Sequence, residues 1–186
     1  MDIKQKILEF LQNVESRNVE IYNEFSLQHE LGIYLRNNLQ GCKIQFEKNV
    51  SYFNLLRTDF EKKEIDIAIF SSDIKLAAIE LKYPRNGQVP ETMFSFCKDI
   101  LFLEQLKKAG FEKAYFLVVV DHTHFYSGNN VGIYSLFRNG KLITGQIVKP
   151  TGSKDHNLNI EGEYTANWVP LFDKTKYCLI EVDTSR

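Results

Sequence analysis

Asp66, Glu80 and Lys82 are the residues of this chain whose types and spacing suit catalysis. They lie in two apolar runs, Glu64-Ile65-Asp66-Ile67-Ala68-Ile69-Phe70 and Lys75-Leu76-Ala77-Ala78-Ile79-Glu80-Leu81-Lys82, with a short turn between. Strand side chains alternate faces, so Ile65, Ile67 and Ile69 share one face of the first run, and Ala77, Ile79 and Leu81 one face of the second. If both sets meet the same core, the hairpin pairs residues of equal parity. A three-residue loop at Ser72-Asp73-Ile74 then sets Asp66 opposite Glu80, and the next allowed register leaves them diagonal. Either register projects Asp66, Glu80 and Lys82 from one sheet face, away from the main apolar layer. Facing carboxylates repel. A divalent cation removes that penalty, because Mg²⁺ takes carboxylate oxygens together with waters and phosphate oxygens. The Leu81 carbonyl offers a further ligand, and Lys82 would stand beside a metal-bound water poised to attack phosphorus. The plain alternative is a solvated strand face carrying an ordinary Glu–Lys pair.

The elements that must position these groups follow from periodicity. Ile3, Ile7, Leu8, Phe10, Leu11 and Val14 keep helical spacing, and a second helix runs over about 25–39 until Gly41 ends it. Strands are expected at about 43–50, 64–70 and 75–82. A loop dense in breakers, 83–90, comes next, then a helix over about 91–109 and a strand at 114–121 that is apolar on both faces. The strand at 75–82, that helix and the strand at 114–121 form a parallel βαβ crossover, whereas 64–70 and 75–82 are close enough only for an antiparallel hairpin. Asn139-Gly140 between 131–138 and 141–148 reads as a second hairpin, 150–167 as a long surface loop, and 177–182 as a final strand.

Asp66, then Glu80-Leu81-Lys82 on the next strand of a hairpin, then a helix and a buried strand, resembles the PD-(D/E)xK nuclease superfamily. The resemblance covers about 25–121, and Ile65 stands where the family name has proline. It implies an α/β, restriction-endonuclease-like fold: a central mixed β-sheet flanked by helices, here with an additional C-terminal β-hairpin and strand. It also implies a single domain over 1–186, with a β extension at about 131–186. Asp66 and Glu80 would be the metal ligands, Lys82 the catalytic lysine, Mg²⁺ or Mn²⁺ the cofactor, and DNA the expected substrate. The family often adds a glutamate from the preceding helix, for which Glu30 is the first choice and Glu24 the second. Arg85 in the 83–90 loop, and Lys98 and Gln105 on the following helix, are candidates for substrate contact; charged residues there are more often a helix's wet side.

Composition sets the frame. The 186 residues are 44% hydrophobic and 25% charged, an ordinary folded composition in which no apolar run reaches membrane-spanning length. Met1-Asp2-Ile3-Lys4-Gln5-Lys6 reads as a helix start rather than a signal peptide. Cys42, Cys97 and Cys178 fit neither a disulfide framework nor a zinc site, so the expected compartment is the cytoplasm. The net charge of −1 counts against a protein that holds DNA mainly by phosphate neutralisation. A non-cutting nucleic-acid-binding or protein-interaction module of the same fold is therefore the alternative, and a hydrolase of smaller phosphoesters a third reading. Many nucleases of this kind work as homodimers, although no heptad or interface patch here points to one. His122 and His124 alternate faces and make a poor joint zinc site, Lys149-Pro150-Thr151-Gly152-Ser153-Lys154 lacks the spacing of a phosphate loop, and Tyr164, Trp168 and Phe172 are more often core than base-stacking residues.

Overall fold

In a computed structural model that describes residues 2–85, 87–152 and 157–183, two helices come first. Asp2 caps α1 (Ile3–Glu15) by accepting from the Gln5 N–H, and Asn23 and Ser26 cap α2 (Glu24–Asn38) reciprocally. The chain continues through β1 (Lys43–Asn49), β2 (Glu64–Ser71), β3 (Ile74–Lys82), α3 (Val89–Lys108) and β4 (Lys113–Val120). It closes with α4 (Tyr134–Arg138), β5 (Ile143–Val148), β6 (Asn157–Tyr164), β7 (Val169–Phe172) and β8 (Thr175–Glu181). Six strands form a mixed sheet in the order β1-β2-β3-β4-β8-β7, in which only β3 and β4 run parallel; β5 and β6 form a separate pair.

The central strands carry apolar side chains on both faces, because each face is covered. Ile67, Ile69, Ala77, Ile79, Leu81, Tyr115, Leu117 and Val119 pack with Ile7, Phe10 and Leu11 of α1 and Leu27, Leu31 and Leu35 of α2. Ala68, Phe70, Ala78, Ala114, Phe116, Val118 and Val120 pack with Met93, Phe96, Ile100 and Leu103 of α3. Gly32 permits the close approach of α2 to β1: a Cβ there would stand 2.1 Å from the Phe46 ring. The cysteines are free thiols, and among the described residues no helix is long and apolar enough to cross a membrane.

The C-terminal third departs from the sequence reading. Residues 134–138 are helical rather than extended, so Asn139-Gly140 follows a helix instead of joining two strands. Gly140 has φ +70°, and a left-handed residue serves a helix end as well as it serves a hairpin. The true hairpin partner of β5 is β6, inside the stretch expected to be loop. Its alternating Leu158 and Ile160 are buried, a period-two signal diluted by the asparagines around them. Asn86, Ser153 and Lys154, in the 83–90 loop and the rejected phosphate-loop match, lie outside the described residues.

Candidate active site

The β2–β3 hairpin sets the geometry. Its turn has two residues, Ser72 with φ +50° and Asp73, rather than the expected three, since Ile74 pairs with Ser71. A register shift between Ile69 and Phe70 then absorbs one extra residue on β3. The two departures cancel. Ile67 faces Ile79, and the same register carried one step further brings Asp66 to Glu80. There the carboxylates take over backbone donors: the Asp66 N–H donates to Glu80 Oε1 at 3.2 Å, and the Leu81 N–H to Asp66 Oδ2 at 2.7 Å. Gln28 of α2 donates to the Asp66 carbonyl at 2.9 Å and ties this strand end under the helix.

These side chains do not face open solvent, as a single-layered sheet would have them. Glu80 is 0% exposed and Asp66 9%, because α3 covers that face. Ile65 also leaves the set of Ile67 and Ile69 and packs on the α3 side. On β1, Glu47 has φ +46° and sits between the Phe46–Ile67 and Lys48–Ile65 pairs, which marks local irregularity in this part of the sheet.

Three further residues complete the cluster. Lys62, just before β2, hydrogen-bonds Glu80 Oε2 and Asp99 Oδ1, the latter at 3.0 Å, and stands 3.8 Å from Asp66 Oδ1. Asp99, on α3, is 2% exposed; its Oδ2 accepts no hydrogen bond and lies 3.5 Å from Lys82 Nζ. Glu24, the first residue of α2, reaches Lys82 Nζ at 3.5 Å and accepts from the Tyr83 N–H at 3.2 Å. Lys82 also donates to the Leu81 carbonyl at 3.0 Å, the oxygen assigned to a metal from the sequence.

Burial raises the Asp66 carboxyl to about 6, against the pull of Lys62, Lys82 and the Leu81 N–H. Glu80 is pushed well above the usual carboxylate range, by burial first and by the Asp66 charge second. Burial opposes the Lys62 ammonium, yet Glu80, Asp99 and Asp66 outweigh it and raise its pKa. Lys82 is raised as well: Asp99 and Glu24 together overcome its desolvation. The cluster thus holds two ammonium groups firmly and crowds its carboxylates.

The other sequence candidates lie elsewhere. Glu30 is not brought to the cluster; its carboxylate stands 3.4 Å from the His29 ring. It is six residues beyond Glu24, which on a helix means about a third of a turn around and about 9 Å further along, so Glu24 takes the place proposed for it. Arg85 pairs with Asp121 at the end of β4 and lies over the Tyr83 ring. Lys98 bonds Glu61 at 2.8 Å, and Gln105 accepts from the Glu61 N–H at 2.7 Å, so both pin the segment carrying Lys62. His122 and His124 sit in a 3₁₀ turn, with Nδ1 of His122 accepting from the His124 N–H. Tyr164 is core, and Trp168 donates to the Phe137 carbonyl. Lys62 escaped sequence reasoning because it belongs to no periodic element. Asp99 carries a signal, as a charge inside an apolar helical run, although such interruptions are more often the solvated side of a helix.

Whether these residues suit a hard cation can be judged from the donors themselves. Glu24, Asp66, Glu80 and Asp99 supply four carboxylates against the ammonium groups of Lys62 and Lys82, two negative charges in excess when all are ionised. Asp99 Oδ2 is a buried oxygen without a donor, and a cavity of about 40 Å³, bounded by Glu24, Phe25, Gln28, Glu47, Asp66 and Leu81, adjoins Asp66. That is room for about one water or ion. Among the described residues no three His, Cys, Asp or Glu side chains stand at metal-holding spacing, since the lysine amines lie between the carboxylates. The donor set fits Mg²⁺ or Mn²⁺ in chemistry, with the lysines as its competitors. No known family model matches the chain, and no curated protein or solved structure matches it either.

Proposed function

We propose that this chain is a metal-dependent nuclease of the PD-(D/E)xK type, with a restriction-endonuclease-like core, acting on DNA. One observation carries the reading: Asp66 and Glu80, from adjacent strands, are buried side by side, Glu80 accepting from the Asp66 N–H and Asp66 from the Leu81 N–H, with Lys82 two residues after Glu80. Burying carboxylates together is costly unless a cation compensates, and such strongly perturbed groups cluster at functional sites. Asp66, Glu80 and the Leu81 carbonyl would hold Mg²⁺ or Mn²⁺. When bound, the ion supplies charge neutralisation at the phosphate and a more acidic water. Lys82 steadies the attacking oxygen with its ammonium, and Glu24, at 3.5 Å, fixes where that ammonium points. α3 keeps bulk water off Glu80.

The test is cleavage of plasmid and single-stranded DNA with Mn²⁺. Asp66→Asn and Lys82→Ala proteins should remain folded and lose activity by about a hundredfold or more. Cleavage at the wild-type rate by both variants would remove the proposal.

The non-cutting module keeps one specific observation in its favour. Lys62 and Lys82 already satisfy much of the carboxylate charge, as a purely structural ion-pair network would. Calorimetry separates the two: an active site binds Mn²⁺ and weakens when Glu80 becomes Gln, whereas a module binds DNA and no ion.

A further inference from the structure

We infer that Lys62 is the resident cation of the carboxylate cluster, and that a divalent metal ion enters by displacing its ammonium group. The inference rests on the metal-dependent reading and specifies how that site is filled. Lys62 Nζ contacts Glu80, Asp99 and Asp66 together, which places a positive charge where their oxygens converge. The ammonium groups serve that position incompletely: Asp99 Oδ2, 3.5 Å from Lys82 Nζ, accepts no hydrogen bond although Asp99 is 2% exposed. A divalent ion brings more charge and more coordination positions to the same oxygens.

The segment carrying Lys62 suits an exchangeable side chain on a fixed base. Residues 60–63 belong to no helix or strand. Their backbone is nevertheless tied down, through the Glu61 N–H to Gln105, Glu61 to Lys98, and the Lys63 carbonyl to the Val50 N–H at 2.9 Å. Phe60 packs edge-on against Phe102 with ring centroids 6.1 Å apart. The backbone therefore stays while the four-carbon stem swings. The Lys62 side chain is 28% exposed, so a path to solvent is open. Lys82 is the less suitable cation to leave, because Glu24 also holds its ammonium.

The experiment reads amine reactivity in the unmodified protein. Metal-free protein in EDTA and protein saturated with Mn²⁺ are treated with an amine-acylating reagent, and modification of Lys62 is followed by mass spectrometry, with exposed Lys43 as the internal reference. Lys62 should react about tenfold faster with Mn²⁺, because a displaced side chain leaves its three carboxylates for solvent, where the reagent reaches it, while Lys43 stays constant. In parallel, Lys62→Met should bind Mn²⁺ about tenfold more tightly than wild type by calorimetry, its competitor having been removed. Mn²⁺ binding by the variant alone overturns the exchange, since Lys62 then excludes the ion instead of yielding to it. Mn²⁺ binding to wild type with unchanged or slower Lys62 labelling overturns the exchange and leaves the metal site standing. Failure of both proteins to bind Mn²⁺ overturns the exchange and the metal-dependent reading together. Should Lys62→Met fail to fold, wild-type labelling decides the matter by itself.

Discussion

Asp66 is buried, negatively charged when ionised, and surrounded by both partners and rivals. Desolvation raises its pKa to about 6; Lys62, Lys82 and the Leu81 N–H lower it, and Asp99 adds to the rise. The ordinary value is 3.8, so the folded protein holds this proton more tightly than the unfolded chain. Its contribution to stability is therefore fully present below about pH 4 and is lost as pH rises through about 6. In EDTA, urea denaturation between pH 4 and 7 should show a loss from this group of up to about 3 kcal/mol, which Asp66→Asn abolishes. Parallel pH profiles for the two proteins would show that Asp66 does not titrate as its surroundings require. The identity of Asp66 as a candidate was legible in the sequence. Its burial was not, because alternation says which face a side chain takes and not what covers that face.

α3 shows the same limit for a whole element. Its interruptions at Asp99 and Glu104 look like a wet stripe, yet both are buried, 2% and 1% exposed. Asp99 meets the lysines, while Glu104 accepts from the Glu161 and Gly162 N–H groups and from the Tyr164 hydroxyl. That single carboxylate bolts the β5–β6 pair to the helix. Glu104→Leu strands two backbone donors and should cost about 3 kcal/mol. Hydrogen exchange should speed up at residues 161 and 162 and stay unchanged along β2 and β3. Loss of protection in β2 and β3 as well would mean that the pair is integral to the main sheet. The helix itself, its length and its apolar face were readable from spacing; the reason for its internal charges lay in distant segments, upstream lysines for Asp99 and a strand more than 50 residues downstream for Glu104.

For the molecule as a whole, the net charge of −1 shapes how nucleic acid would be held. Contact through a metal-filled cluster and a few cations implies modest, weakly salt-dependent binding when no divalent ion is present. Fluorescence anisotropy with DNA in EDTA should give a slope of log affinity against log salt no steeper than about −3. A much steeper slope would reveal an extensive basic surface and favour a binding module. The sheet order β1-β2-β3-β4-β8-β7 keeps β2 and β3 away from both edges, so the cluster sits where helices cover each face.

The sequence by itself determined the elements of the sheet core: the helix–strand order over about 25–121, the β2–β3 hairpin and the parallel β3–β4 crossover, while the bulge that brings Asp66 to Glu80 was decided by the fold. These rest on periods of two and 3.6 residues and on connections too short for alternatives. Tertiary structure alone decided that Glu24 rather than Glu30 reaches Lys82, that Asp99 and Lys62 join the cluster, and that β6 rather than 131–138 pairs with β5. Lys62 and Asp99 are 37 residues apart, and Glu24 and Lys82 are 58 apart. No local pattern encodes such meetings; they arise when two helices close on a sheet whose twist and irregularities set which side chains converge.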